Sequence, residues 1–159
     1  NCLLALGKRT DIEALPAWPL LALYAQQTSM KASPFPQETI LHDPCAAKED
    51  AASHDAARRI LAARQVPHAE FAHCRPQARC CGRRDMIFLT NPAASQRMLD
   101  ARLAETNGLP IVTYCESCVE AFRAAGHKAI HLLEILFNTP AQRSVLNRIK
   151  NARRKDFHA

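Results

Sequence analysis

The chain has 159 residues, of which 48% are hydrophobic, enough for one compact domain to build a core without disulfide staples. No run of about 18 apolar residues reads as a membrane span, and no secretory signal pattern is visible. A net charge of +6 is modest, aromatics are only 6%, and no basic stripe interleaves with aromatics, which argues against a nucleic-acid partner.

In chain order, Ala17-Trp18-Pro19-Leu20-Leu21-Ala22-Leu23-Tyr24 reads as a helix starting near Pro19 with one buried apolar side. Ser33-Pro34-Phe35-Pro36 is a stiff connector. Thr39-Ile40-Leu41-His42 reads as a short buried strand closed by Asp43-Pro44, and Cys45 follows at once. Ser53 is placed to cap a helix with apolar positions Ala57, Ile60 and Leu61, which stops before Pro67. Ala69-Glu70-Phe71-Ala72 is a weaker strand signal, and the Cys80-Cys81-Gly82 turn comes next. Asn91 caps and Pro92 starts a helix whose Met98, Leu99, Ala101 and Leu103 keep helical spacing up to Asn107-Gly108. Pro110-Ile111-Val112-Thr113-Tyr114 is the clearest strand, and Cys115 and Cys118 sit where it turns into a helix ending at Gly126. A weak strand, Lys128-Ala129-Ile130, runs into His131-Leu132-Leu133-Glu134-Ile135-Leu136. Strands alternating with helices predict an α/β fold with a mostly parallel sheet flanked by helices. The cysteine-bearing loops then fall at the carboxyl ends of strands, where such sheets bind ligands.

By composition, residues 1–37 form a helical lead-in, 38–138 the cysteine-bearing domain and 139–159 a basic helical tail. The tail carries Arg143, Arg148, Lys150, Arg153, Arg154 and Lys155. It reads as a solvated helix, or as a contact for an anionic membrane face or an acidic partner subunit.

Five of the seven cysteines form an ordered array: Cys45, the doublet Cys80-Cys81, and the C-x-x-C of Cys115 and Cys118. Thirty-four residues separate Cys45 from Cys80, and thirty-three separate Cys81 from Cys115. Thiols gathered in this way hold a metal or an iron–sulfur cluster, or carry dithiol redox chemistry. Cys115-Glu116-Ser117-Cys118 opens a helix, whose free N–H groups and dipole favour thiolate. Adjacent cysteines point apart in ordinary backbone, so the doublet suits a cluster with several metal atoms better than one tetrahedral zinc. Gly82 frees the turn for positive φ and close backbone approach.

His42-Asp43-Pro44-Cys45, Cys80-Cys81-Gly82 and Cys115-Glu116-Ser117-Cys118 together resemble the CCG cysteine-rich domain family. That family includes the B subunit of heterodisulfide reductase and subunits of glycolate, lactate and anaerobic glycerol-3-phosphate dehydrogenases. The resemblance runs from about Thr39 to Leu136. It implies a non-cubane [4Fe–4S] centre on Cys45, Cys80, Cys81, Cys115 and Cys118, with zinc as the alternative. It further implies an electron-transfer module of an oxidoreductase complex, with reduction of a disulfide in the reductase members. Two positions depart from the family pattern. Ala46 stands where many relatives have histidine, and Arg83-Arg84 replace a glycine-rich run after the doublet, a turn that narrows access or attracts an anionic substrate.

The chain lacks the C-x₂-C-x₂-C-x₃-C-P run of ordinary ferredoxin clusters, so a flavoprotein dehydrogenase or a ferredoxin-type iron–sulfur subunit is the expected electron partner. Seven thiols, an odd number, suit a reducing, cytoplasmic compartment, with the tail offering attachment to the inner face of a membrane. Cys2 echoes the Cys118 pattern and reads as the last thiol of a preceding CCG unit in a longer subunit. Cys74 reads as a free loop thiol, His42 as a donor behind the ligands or a satisfied core residue, and His131 as a helix cap. A structural zinc-docking domain and a metal-free dithiol module remain the competing readings.

Overall fold

A computed structural model describes residues 15–28, 35 and 38–139. The expectations for Cys2, for the connector at Ser33 and Pro34, and for the basic tail after Pro140 fall outside those residues. The helices are α1 (Ala17–Gln27), α2 (Ala51–Ala63), α3 (Ile87–Thr90), α4 (Pro92–Leu103), α5 (Glu116–Ala124) and α6 (Leu132–Phe137). The strands are β1 (Thr39–His42), β2 (His68–Glu70), β3 (Ile111–Thr113) and β4 (Ala129–His131). They make one all-parallel sheet in the order β2-β1-β3-β4, so the expected α/β class is the observed one.

The period-two alternation of each strand divides its side chains between two cores. Leu41, Val112 and Ile130 lie in one row across β1, β3 and β4. They pack with Ala22 and Ala25 of α1, Ala57, Ile60 and Leu61 of α2, and Ile135 of α6. Ile40, Ile111 and Ala129 form the row on the opposite face and pack with Leu99 of α4 and Val119 and Phe122 of α5. Both faces are therefore covered, as a parallel sheet requires. Each fully buried Leu or Ile contributes about 1.5–3 kcal/mol.

Local chemistry sets the helix ends. Asn91 accepts from the Ala94 amide with Pro92 in the first turn. His131 accepts from Leu133 N while Glu134 reaches back to the His131 amide, closing a capping box. Ser53 does not cap α2. Asp50 does, because its two carboxylate oxygens take both the Ser53 amide and the Ser53 hydroxyl. β2 is shorter and earlier than its sequence signal, because Phe71 leaves the strand to fill the core against His42 and Arg102. Helix α3 had no sequence signal. It follows two consecutive residues with positive φ, Asp85 and Met86, that reverse the chain after the doublet.

One buried carboxylate ties these layers together. Asp43, fully buried, follows β1 directly. It accepts from Arg58 Nη1 and Nη2 on α2 (3.1 and 2.8 Å), from the Arg75 amide (2.7 Å) and from the Tyr114 hydroxyl beyond β3 (2.9 Å). Arg58 also holds Glu70 at the end of β2 through two bonds of 2.7 and 2.6 Å. Burial pushes the Asp43 carboxyl up, but the bonds from Arg58, the Arg75 amide and Tyr114 outweigh it and leave the pKa below its ordinary value. Burial and the Asp43 charge hold the Tyr114 phenol protonated, so it remains a donor.

Asp43→Asn should cost about 3–5 kcal/mol at neutral pH, read from the urea unfolding midpoint, because it removes the buried partner of Arg58 and leaves only the more exposed Glu70 to balance its charge. The folded pKa of Asp43 is depressed, so its contribution is present above an unfolded value of about 3.9 and disappears as the pH falls through the folded value. The gap between wild type and Asp43→Asn should therefore narrow below about pH 4.

Candidate metal centre

The strand order reverses between β1 and β3, which places the crevice of this sheet at their carboxyl ends. Cys45 opens the 3₁₀ turn Cys45–Ala47 just past β1, and Cys115 is the N-cap of α5 just past β3. Cys80 and Cys81 follow the longer excursion after β2. The five thiols form one continuous run of sulfur contacts, from Cys45 to Cys80 to Cys81 to Cys118 to Cys115. Cys81 Sγ and Cys118 Sγ are in hydrogen-bond contact at 3.2 Å. Every cysteine among the described residues is free of disulfide.

Proton affinity is uneven along this run, low at Cys80 and Cys115 and high at the other three thiols. Cys80 accepts from the Cys45 and Cys81 thiols and from the Arg84 and Gly82 amides, and is held far below the usual thiol range. Cys115 accepts from the Cys118 thiol and from the Cys118 and Ser117 amides at the start of α5, and is lowered to about 6. Cys45 is pushed far up, chiefly by its bond to Cys80 and by burial. Cys118 is pushed up by its bonds to Cys115 and Cys81. At Cys81 the bond to Cys118 favours thiolate, but the bond to Cys80 and burial prevail and push it up to about 12. The protein alone therefore supports two thiolates steadied by three thiols. Full deprotonation needs a cation among them.

His42 is fully buried, edge-on to Phe71 and Phe122 with ring centroids at 5.7 and 5.1 Å. Burial, then the charge of Arg102, lowers its pKa to about 3, so the ring is neutral. Arg102 can only donate, so its contact at 3.3 Å with His42 Nδ1 leaves the ring proton on Nε2. Nε2 is buried with no partner, and so is the hydroxyl of Thr113, the β3 residue in register with His42. One ring nitrogen of His42 and the Cys81 and Cys118 sulfurs all lie within 4.8 Å of one another. Orphaned donors beside a thiol cluster suit a bound anionic or sulfur-rich group.

Gly82 has φ +85° and sits against α4. An added Cβ would clash with the Ser95 carbonyl oxygen and stand 2.9 Å from its hydroxyl, which already donates to Gly82 O at 2.7 Å. The close approach that glycine permits here is to the first turns of α4. Cys74 stands in another group, with Asp43 and Glu70 within 4.8 Å, where Arg58 already supplies the cation. Burial and the neighbouring carboxylates raise its pKa, so it is a poor thiolate.

Sequence reasoning missed two residues that set this geometry. Asp43 read as a strand terminator; its signal was an acid set between the short strand Thr39–His42 and the first thiol. Arg102, fully buried, packs its guanidinium 3.9 Å over the Phe71 ring and pairs with Glu105. Its partner His42 is sixty residues away, so no local pattern announces it.

Gly82→Ala should lower stability by about 2–4 kcal/mol, from the left-handed backbone and the clash with α4 together. Ser95→Ala, which removes only the hydroxyl bond, should cost about 1 kcal/mol in the same urea titration.

Comparison with known proteins returned no match among curated proteins and none among solved structures. Residues 39–123 match the family model of the CCG cysteine-rich domain, a span running from β1 through most of α5 and holding all five thiols of the run together with His42, Asp43 and Gly82. The chain, with several cysteines gathered in a manner compatible with a metal-binding module, thus belongs to the CCG cysteine-rich domain family.

Proposed function

We propose that the chain is an iron–sulfur electron-transfer module of an oxidoreductase complex. Cys45, Cys80, Cys81, Cys115 and Cys118 would hold a [4Fe–4S] centre of non-cubane type. The observation that carries this is the unbroken run of five thiols in a CCG domain. A tetrahedral ion accepts four ligands and keeps its sulfurs about 3.8 Å apart at a metal–sulfur length of about 2.3 Å, so a fifth thiol in the same run calls for more than one metal atom. Bound there, the centre supplies one-electron transfer. The amides of Gly82, Arg84, Ser117 and Cys118 spread thiolate charge, and Arg102 fixes the His42 tautomer so that Nε2–H is a buried donor with no protein partner.

Electrons would come from a flavoprotein dehydrogenase or a ferredoxin-type subunit, and a disulfide is the acceptor that the heterodisulfide-reductase likeness suggests. Free thiols suit a reducing, cytoplasmic setting. Among the described residues no helix is long and apolar enough to cross a membrane, so attachment to an inner membrane face would fall to the basic tail. Zinc is the second reading: His42, Cys81 and Cys118 span 4.8 Å, a size that fits one ion, and His42 would have to exchange its Arg102 contact or its Nε2 proton for the metal.

Anaerobically purified protein should be brown and contain iron and acid-labile sulfide, and Cys81→Ser should lose both while keeping its far-UV circular dichroism. Stoichiometric zinc without sulfide would establish the second reading instead. Protein free of metal whose Cys115 and Cys118 oxidise reversibly would overturn both. Because Cys45, Cys81 and Cys118 hold their protons at neutral pH, loading with Zn²⁺ or Cd²⁺ as a probe should release protons. Apparent affinity for the probe should then rise at least about tenfold per pH unit between about pH 6 and 8, measured by chelator competition.

A further inference from the structure

The thiol run opens at its Cys45 and Cys80 end into a cavity of about 560 Å³. Lys48, Arg79, Arg84 and Arg97 line this cavity, and no acidic residue does. The cations come from three separate segments: Lys48 beyond the turn after β1, Arg79 and Arg84 on either side of the doublet, and Arg97 on α4. Neighbouring acids relieve little of this charge. Asp85 pairs with Arg84 at 3.3 Å from an almost fully exposed position, and Arg79 meets His73 at 3.0 Å rather than a carboxylate. Lys48 and Arg97 make no ion pair among the described residues. Four like charges around one concavity repel one another, an arrangement that a merely solvated surface has no reason to keep.

The floor has the opposite character. Ala94, Met98 and Ala101 share one face of α4 with Arg97, at spacings of three and four residues, and line the cavity beside the two sulfurs. At the Cys115 end of the run, a second cavity of about 310 Å³ is lined by Pro16, Trp18, Pro44 and Tyr114 among others, with no lysine or arginine. Positive charge is thus concentrated at one end of the array.

We infer that the basic cavity binds a small, multiply anionic molecule, with two or more carboxylate or phosphate groups on a short carbon skeleton, seated against Cys45 and Cys80. Its volume is that of a small-molecule site, about 300–1,000 Å³. Guanidinium forks match carboxylate and phosphate oxygens, and the apolar floor takes the skeleton between them. Calling this molecule a substrate rests on the metal-centre reading above; its binding does not.

The full chain, prepared anaerobically, is to be titrated calorimetrically with inorganic pyrophosphate and with citrate, the phosphate and carboxylate probes. Arg97→Gln and Lys48→Gln should each weaken binding about tenfold, the size of one charge-assisted hydrogen bond. Lys128→Gln, an equal charge change at an exposed residue outside the cavity, should stay within about twofold of wild type. Equal loss in all three variants, or no binding of either probe at millimolar concentration, overturns the inference. As a second readout, the chelated, reduced chain is alkylated with iodoacetate and with neutral iodoacetamide. The rate ratio of the two should be higher at Cys45 and Cys80 than at Cys74, and an equal ratio at all three overturns the inference. Iron and sulfide are assayed on the same samples. A loaded centre without anion binding removes this inference alone, whereas anion binding without iron or sulfide supports it and removes the cluster reading.

Discussion

The chain leaving β1 and β3 at the carboxyl edge of the sheet is anchored on the Asp43 carboxylate. It leaves β1 fully buried and takes donors from α2, from the loop after β2 and from the residue following β3. A buried anion is costly unless each lone pair is used, and here four donors use them. That requirement fixes where the chain goes next. Cys45 lies two residues past the carboxylate and Cys115 one residue past Tyr114, so anchoring the carboxylate also anchors two of the five thiols.

The doublet is held by different means. No strand delivers it; nine residues run between β2 and the doublet, and the Gly82 contact with α4 fixes its place. Arg83 stacked 4.4 Å from the centre of the Phe88 ring steadies the turn from the other side. Two supports of unlike kind therefore converge on one row of sulfurs, and neither uses a covalent link.

The class of the fold and the cysteine array were legible because their signals are local. β1 matches its sequence signal residue for residue, and Asn91-Pro92 starts α4 as it reads. The family likeness was legible for the same reason, since three short motifs carry it. Less could be read where a residue's role depends on a distant partner. Arg102 looks like an ordinary helix-surface cation until His42 and Phe71 close over it, and Asp50 outranks Ser53 as a cap only because it takes both of that residue's donors. The strand order was equally hidden, because alternation of strands and helices fixes their direction and leaves their sequence across the sheet open.

Helix α4 collects an unusual number of these roles on one rigid rod. Its Ser95 presses on Gly82, its Leu99 sits in the core, its Arg102 sets the His42 proton, and its Ala94, Arg97, Met98 and Ala101 line the basic cavity. A lean of this rod by a fraction of an ångström displaces the doublet and the histidine together. The cavity lining, the glycine contact and the histidine contact thus rest on one rigid support, with no loop between them.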